Sequence, residues 1–234
     1  MTRSSILAAK TAQGLASNSQ EQAYRYLKHR IINLEIKPND RLTTQTIASA
    51  INVSRTPVRE ALGRLEQEGL AVRDEGWGYT VKPISMKEAM DVYRVREVLE
   101  VEAVRQALPN VTPALIARLR ASLNKAEEKV RQGRLNEFRN NARLFYHMIT
   151  EATGNSCLIS MLATVDDRIR LLGAMMAKRH LDRPKESLAE NRALLEALGA
   201  GDERAAIAAV RKHVASAAKT LTRYVMTETG QLSL

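Results

Sequence analysis

One short stretch limits what this chain can be: VSRTPVREALGRLEQEGLAV, residues 53–72. It holds a proline, Pro57, inside a pattern that otherwise reads as a helix, with Val58, Ala61, Leu62 and Leu65 at helical spacing. Deep in a helix a proline removes a hydrogen bond and clashes with the preceding turn. In the first turn its missing N–H costs nothing, because those N–H groups have no intrahelical partner. Ser54 suits the N-cap and Gly69 the C′ position, so Pro57 falls in the first turn of a helix that ends at Gly69. Arg55 and Arg59 then share one face, about 6 Å apart along the axis. Two guanidinium groups at the exposed tip of a capped helix suit an anion outside the protein.

The flanks extend this pattern. EQAYRYLKHRIINLEI carries apolar residues at Ala23, Tyr26, Leu27, Ile31 and Leu34, a helical stripe that KPND (37–40) breaks. Thr43 or Thr44 caps a short helix through Ile47, Ala48 and Ile51, and Asn52-Val53 forms a tight turn into the proline-bearing helix. Two β-prone pieces follow, LAVR and YTVK, joined by DEGWG as a hairpin. Residues 20–82 therefore read as a helix-turn-helix with a β wing. Residues 1–19 read as a disordered N-terminal arm. From Ser85 on no strand is expected. Helices are predicted at about 85–108, 112–132, 135–153, 156–180, 185–200 and 202–226, separated by Pro, Gly and Asn breaks. The fold class is mainly α: a winged helix-turn-helix over 20–82, an all-helical bundle over 83–228 and a tail at 229–234, with the join near Lys82-Pro83.

The net charge of +10 invites a polyanionic partner. It is not concentrated, however: residues 1–82 hold 12 Lys and Arg against 8 Asp and Glu, and the remainder 24 against 18. The single cysteine, Cys157, excludes a disulfide framework and reads as a small buried hydrophobe in GNSCLISML. No apolar run has membrane-spanning length and no secretory pattern opens the chain, so a soluble cytoplasmic protein without a membrane partner is expected. Neither GxGxxG nor GxxxxGK[ST] occurs, and no nucleophile–base motif supports an enzyme. His29 and His180 read as surface residues on helices.

VSRTPVREALGRLEQEGL resembles the signature of the GntR family of bacterial transcription regulators, and KPNDRL its usual entry, with Asn39 where glycine is commoner. ISMKEAMDVYRVREVLEVEAVRQA is similar to the start of the FCD effector domain of the FadR subfamily. NARLFYHMITEATGNSCL, LAENRALLEALGAGDERAA and VRKHV continue that likeness to about residue 225. The resemblance implies a recognition helix in the major groove of double-stranded DNA, where Arg55 and Arg59 would read guanines. Ser54 and Thr56 would contact phosphates. Gln45 would lie on the second helix near the DNA, and Gly76 and Gly78 would bring wing backbone close to the minor groove. Trp77 stands where a wing arginine is usual. A homodimer held by the FCD bundle would read a palindromic operator with GT…AC half-sites. A small carboxylate effector in the bundle would regulate it, most often as a repressor of metabolic genes.

Many FCD domains carry an Asp and three His that bind a divalent metal, with the Asp four residues before the first His. On this resemblance the first His matches His147 and the last His213, while Arg143 takes the Asp position and Asn191 the middle His position. Two of four ligands are gone, and an arginine would repel a dication, so no metal cofactor is expected; if one binds, His147 and His213 hold it. Arg143 instead would pair with the carboxylate of an effector, with Arg96, His147, Asn191 and His213 lining the same site. Arg96 has a second reading as the partner of Glu100 at i+4, and the two histidines as satisfied core residues. Asn155 reads as a helix cap. Two alternatives stand beside the ligand-responsive regulator: a ligand-independent architectural DNA-binding protein, and a metal-dependent FCD sensor with a degenerate site.

Overall fold

The computed structural model describes the backbone of residues 3–74, 78–177 and 183–228, and side chains from residue 18 onward except at 175–177 and 224–228 within that range. The chain divides into two compact units, Met1–Ser85 and Met86–Leu234. The division falls a few residues after the join expected at Lys82-Pro83.

The first unit runs α1 (Arg3–Ile32), β1 (Arg41–Leu42), α2 (Thr44–Ile51), α3 (Arg55–Gln67), β2 (Ala71–Asp74) and β3 (Gly78–Val81). Helix α1 begins far earlier than its apolar stripe and takes in most of the segment read as a disordered arm. Residues 8–20 include four alanines and two glutamines, which have good helix propensity. Within the stripe Ala23, Tyr24, Leu27, Ile31 and Ile32 are buried, and they meet Val58, Ala61, Leu62 and Leu65 of α3 in the core. The buried tyrosine is thus Tyr24 rather than Tyr26. Its hydroxyl donates to Glu68 at 2.7 Å, Lys28 donates to the same carboxylate at 2.9 Å, and Arg64 lies over its ring at 3.5 Å. This clasp fixes α3 against α1.

Asn39 explains the departure in KPNDRL. It sits at φ 70°, the left-handed region that glycine adopts freely and asparagine tolerates best among the others. Asn52, at φ 53°, makes the turn between α2 and α3 in the same way. The hairpin β2–β3 forms as expected, pairing Asp74 with Gly78 at its loop end and Ala71 with Val81 at its open end. β1 was not foreseen. It adds to the other edge of β3, giving the order β1-β3-β2, but two residues are too short to leave a period in the sequence.

The second unit is helical throughout its described residues: α4 (Met86–Ala107), a 3-10 turn (Leu108–Asn110), α5 (Pro113–Arg131), α6 (Leu135–Glu151), α7 (Ser156–Ala177), α8 (Pro184–Ala200) and α9 (Glu203–Glu228). Caps set the boundaries. Thr112 accepts from the Leu115 N–H at 3.2 Å to open α5. Asn155 accepts from the Leu158 N–H at 3.0 Å to open α7, the cap role expected of it. Gly201, at φ 68°, closes α8. Helix α4 packs on α9, α7 and α6, and α8 packs on α9, α5 and α6, so α4, α6, α8 and α9 surround a common interior. Cys157 lies exposed in the first turn of α7 and is not the buried hydrophobe expected. The apolar run around it puts Leu158 inward, and the residue before faces away.

Candidate nucleic-acid interface and bundle interior

In the first unit, Ser54 holds the N-cap position of α3 in extended conformation (φ −74°, ψ 169°), yet its hydroxyl makes no capping bond. Pro57 falls in the first turn and is buried beside Val58, which points the opposite face of the helix tip outward. Ser54, Arg55, Thr56 and Arg59 are all exposed on that tip. Neither Arg55 nor Arg59 forms an ion pair or hydrogen bond among the described residues. Arg59 thus pairs with neither Glu60 nor Glu66. Gln45 is exposed in the first turn of α2, with its amide 3.4 Å from the Ser49 hydroxyl. Gly78 begins β3 at φ 120°, a conformation closed to side-chain-bearing residues, with open space where a Cβ would stand. Gly76 and Trp77 lie outside the described residues, as does His180. His29 is exposed on α1, its imidazole 3.0 Å from the Asn33 amide.

The second unit treats its charged residues differently. Arg96 and Glu100, one turn apart on α4, meet at 2.7 Å and are nearly buried. Burial alone would weaken the guanidinium's hold on its proton, but Glu100 and the Tyr93 and Tyr146 hydroxyls overcome it and raise the Arg96 pKa further. Of the two expectations for Arg96, the ion pair is the one formed. On α8, Glu190 receives two hydrogen bonds from Arg183, both 2.9 Å, and a third contact from His213 Nδ1 at 3.0 Å. Burial opposes ionisation of Glu190, yet the bonds from His213 and Arg183 hold its pKa down at about 2. Burial pushes the His213 imidazole below its ordinary pKa against the pull of Glu190, so it is neutral and donates from Nδ1. Arg183 also donates to the His213 carbonyl at 3.1 Å.

Between these pairs stands Tyr146, a residue that sequence reasoning passed over. Its ring stacks on His213 with centroids 5.1 Å apart, and its hydroxyl donates to Asn191 Oδ1 at 2.9 Å. Arg96 lies 5.8 Å from the ring centroid. Burial drives the Tyr146 hydroxyl well above its ordinary pKa, so it stays protonated and able to donate. Two buried atoms in this cluster have no hydrogen-bond partner among the described residues: Asn191 Nδ2 and Glu100 Oε2.

Arg96, Asn191 and His213 thus come together, but two expected members do not join them. His147 is 56% exposed and lies 3.6 Å from Glu151 on the surface of α6. One helical step turns a side chain by about 100°, which is why Tyr146 faces the interior and its neighbour does not. Arg143 is half-exposed and lies 3.7 Å from Asp166 of α7. Burial raises the Asp166 pKa, against the opposing pull of Arg143 and Arg96. Burial, and then the nearby Arg143, lower that of Arg170.

The four-ligand metal set fails on donor chemistry. The inward α6 position holds a phenol and the α8 position an amide, both engaged with each other, and His213 already spends Nδ1 on Glu190. Four residues before Tyr146 stands Ala142, packed against the apolar cluster of Ala126, Phe138 and Leu188. No group of three His, Cys, Asp or Glu side chains suited to a metal occurs among the described residues.

No helix of the described residues is long and apolar enough to cross a membrane. Residues 19–81 match the family of bacterial regulatory proteins, gntR family, and residues 91–216 match the FCD domain. The chain is 32% identical over 136 residues to the HTH-type transcriptional regulator McbR of Escherichia coli K12, covering 58% of this chain and 62% of that protein. It is 26% identical over 197 residues to the HTH-type transcriptional repressor RspR of the same organism, covering 83% and 85%. Against the uncharacterized HTH-type transcriptional regulator YdhC of Bacillus subtilis the identity is 28% over 155 residues, covering 63% and 66%. The solved structure of E. coli McbR/YncC superposes with a TM-score of 0.77 at 26% identity, covering 88% of this chain and 98% of that one. A GntR regulator from Rhodococcus sp. RHA1 shares the fold, with a TM-score of 0.72 at 22% identity over 87% of this chain and 97% of that one. The chain belongs to the gntR family of bacterial DNA-binding transcription regulators, in the branch whose second domain is an FCD domain.

Proposed function

We propose that this regulator is a ligand-responsive repressor that binds a palindromic operator as a homodimer. The observation that carries the reading is the pair of exposed, unpaired guanidinium groups of Arg55 and Arg59 at the tip of α3. A guanidinium left without an internal partner at a helix N-terminus is available for the O6 and N7 edge of guanine, while Ser54 and Thr56 offer hydroxyls to phosphates. Gln45 at the start of α2, with Gly78 and Gly76 of the wing, would complete the contact. One such tip spans only a few base pairs, so a dimer reading two half-sites supplies the specificity. The repressor sense follows the kinship with RspR, which is named a repressor.

The effector in this reading is a small organic acid, and metabolic genes are its targets. Where α6 meets α7, the carboxylate of Asp166 already lies within the fields of Arg143 and Arg96. The long Arg143–Asp166 contact leaves this arginine free to exchange Asp166 for a ligand carboxylate. The ligand must favour one arrangement of the two reading heads over the other, since equal affinity for both regulates nothing. A ligand-independent architectural protein would instead show no dependence of DNA affinity on any acid.

Selection from a random DNA pool tests the first half: the reading expects an inverted repeat, and recovery of no shared sequence contradicts it. For the second half, a panel of carboxylic acids is added to the selected complex. An acid that changes DNA affinity in the wild type, and no longer does so in Arg143→Ala, supports the effector site. A response that persists unchanged in the variant moves the site elsewhere.

A further inference from the structure

We infer that this FCD domain holds its effector-side helices together with an ion-free tether, and that Tyr146 occupies the α6 position from which a metal ligand would otherwise project. The inference is separate from the DNA-reading proposal and survives or fails without it.

A metal in such a bundle draws side chains from several helices to one point. Here the same helices are joined by other means. Tyr146 of α6 bonds Asn191 of α8 through its hydroxyl and stacks on His213 of α9 through its ring. Arg183, at the entrance to α8, and Glu190, one residue before Asn191, then grip His213 by its Nδ1 and its carbonyl. The tether reaches three helices through five side chains.

Charge makes the arrangement exclusive. Arg96 is balanced by Glu100 and Arg183 by Glu190, and His213 is neutral, so the cluster carries no surplus negative charge for a dication to neutralise. An ion entering would meet only charge-balanced pairs, with nothing to offset its lost hydration. The register supports the same conclusion. Were His147 the inward position, Arg143 would lie one turn behind it on the same inward face. Both are half-exposed or more, whereas Tyr146 and the residue one turn before it, Ala142, pack inward.

The test restores the ligands in two registers and uses cobalt(II) as the probe, read by its d–d absorption. Ala142→Asp with Tyr146→His and Asn191→His, acting with His213, should give stoichiometric cobalt uptake. Arg143→Asp with Asn191→His, which relies on His147, should give none, and neither should the wild type. Uptake by the second variant, or by the wild type at a site lost in His213→Ala, overturns the inference; so does a folded triple variant that binds nothing. If the triple variant does not fold, Tyr146→Phe and His147→Ala decide the matter in the native context. Removing the Tyr146 hydroxyl leaves Asn191 Oδ1 buried without its donor and should lower the melting midpoint by about 2–8 °C, while His147→Ala should leave it nearly unchanged. The opposite order contradicts the assigned register.

Discussion

Arginine does opposite jobs in the two units of this protein. At the tip of α3, Arg55 and Arg59 stand exposed and without partners among the described residues. Inside the helical bundle, Arg96 and Arg183 are nearly buried, and each is matched by a carboxylate at 2.7–2.9 Å. A surface guanidinium in water costs little to leave unpaired, so it can be kept ready for a polyanion. A buried one must bring its counter-charge with it, and it becomes structural. The same side chain thus marks a binding face in one place and a fastening in the other, and its partner decides which.

The largest expected effect comes from breaking the interior half of this contrast. Glu190→Gln leaves Arg183 buried beside a neutral amide and should cost about 3–5 kcal/mol of bundle stability, measured by denaturant unfolding. A loss under 1 kcal/mol would mean that Arg183 reaches water easily. A pH titration sharpens the point. The pKa of His213 is lower folded than unfolded, so its contribution is complete above the unfolded value near 6.5 and is lost as pH falls below it. Glu190, held at about 2, adds a second loss as pH drops from the ordinary carboxylate value towards 2. The melting midpoint should therefore decline between pH 7 and 5 in the wild type and decline less in His213→Gln; parallel curves would remove His213 from the account. The smallest effect belongs to the intermediate case. Arg143→Ala breaks a half-exposed pair of 3.7 Å and should change stability by no more than about 0.5 kcal/mol, whatever it does to effector response.

Much of the fold was legible because punctuation and period agreed. Pro57 in a first turn, Gly69 at a helix end and Asn155 as a cap each located a boundary, and the six predicted C-terminal helices match α4 to α9 within a few residues over the described residues. The misses have physical causes. β1 is too short to show alternation, α1 continues through residues that carry no apolar stripe, and Cys157 sits one position from the buried Leu158. The candidate sites divide along the same line. The exposed arginines could be read locally, because capping and spacing fix where a helix tip points. The interior could not, because it depends on which of two neighbours on α6 faces inward. FYH (145–147) offers three ring-bearing side chains in a row, and the histidine attracts attention as a ligand. The signal that favoured Tyr146 was the helical period: Phe138, Phe145, Met148 and Ile149 mark the buried face, and His147 lies off it.

The most direct test of the contrast is the affinity of Arg55→Ala and Arg59→Ala for a selected operator and for unrelated duplex DNA, at one fixed salt concentration, beside the wild type. Each variant should lose about 1–3 kcal/mol, roughly 5–150-fold, on the operator with little change on unrelated DNA and no change in melting midpoint. Equal losses on both DNAs would make these arginines phosphate contacts, and no loss on either would contradict the claim that the unpaired tip of α3 is where this protein reads DNA.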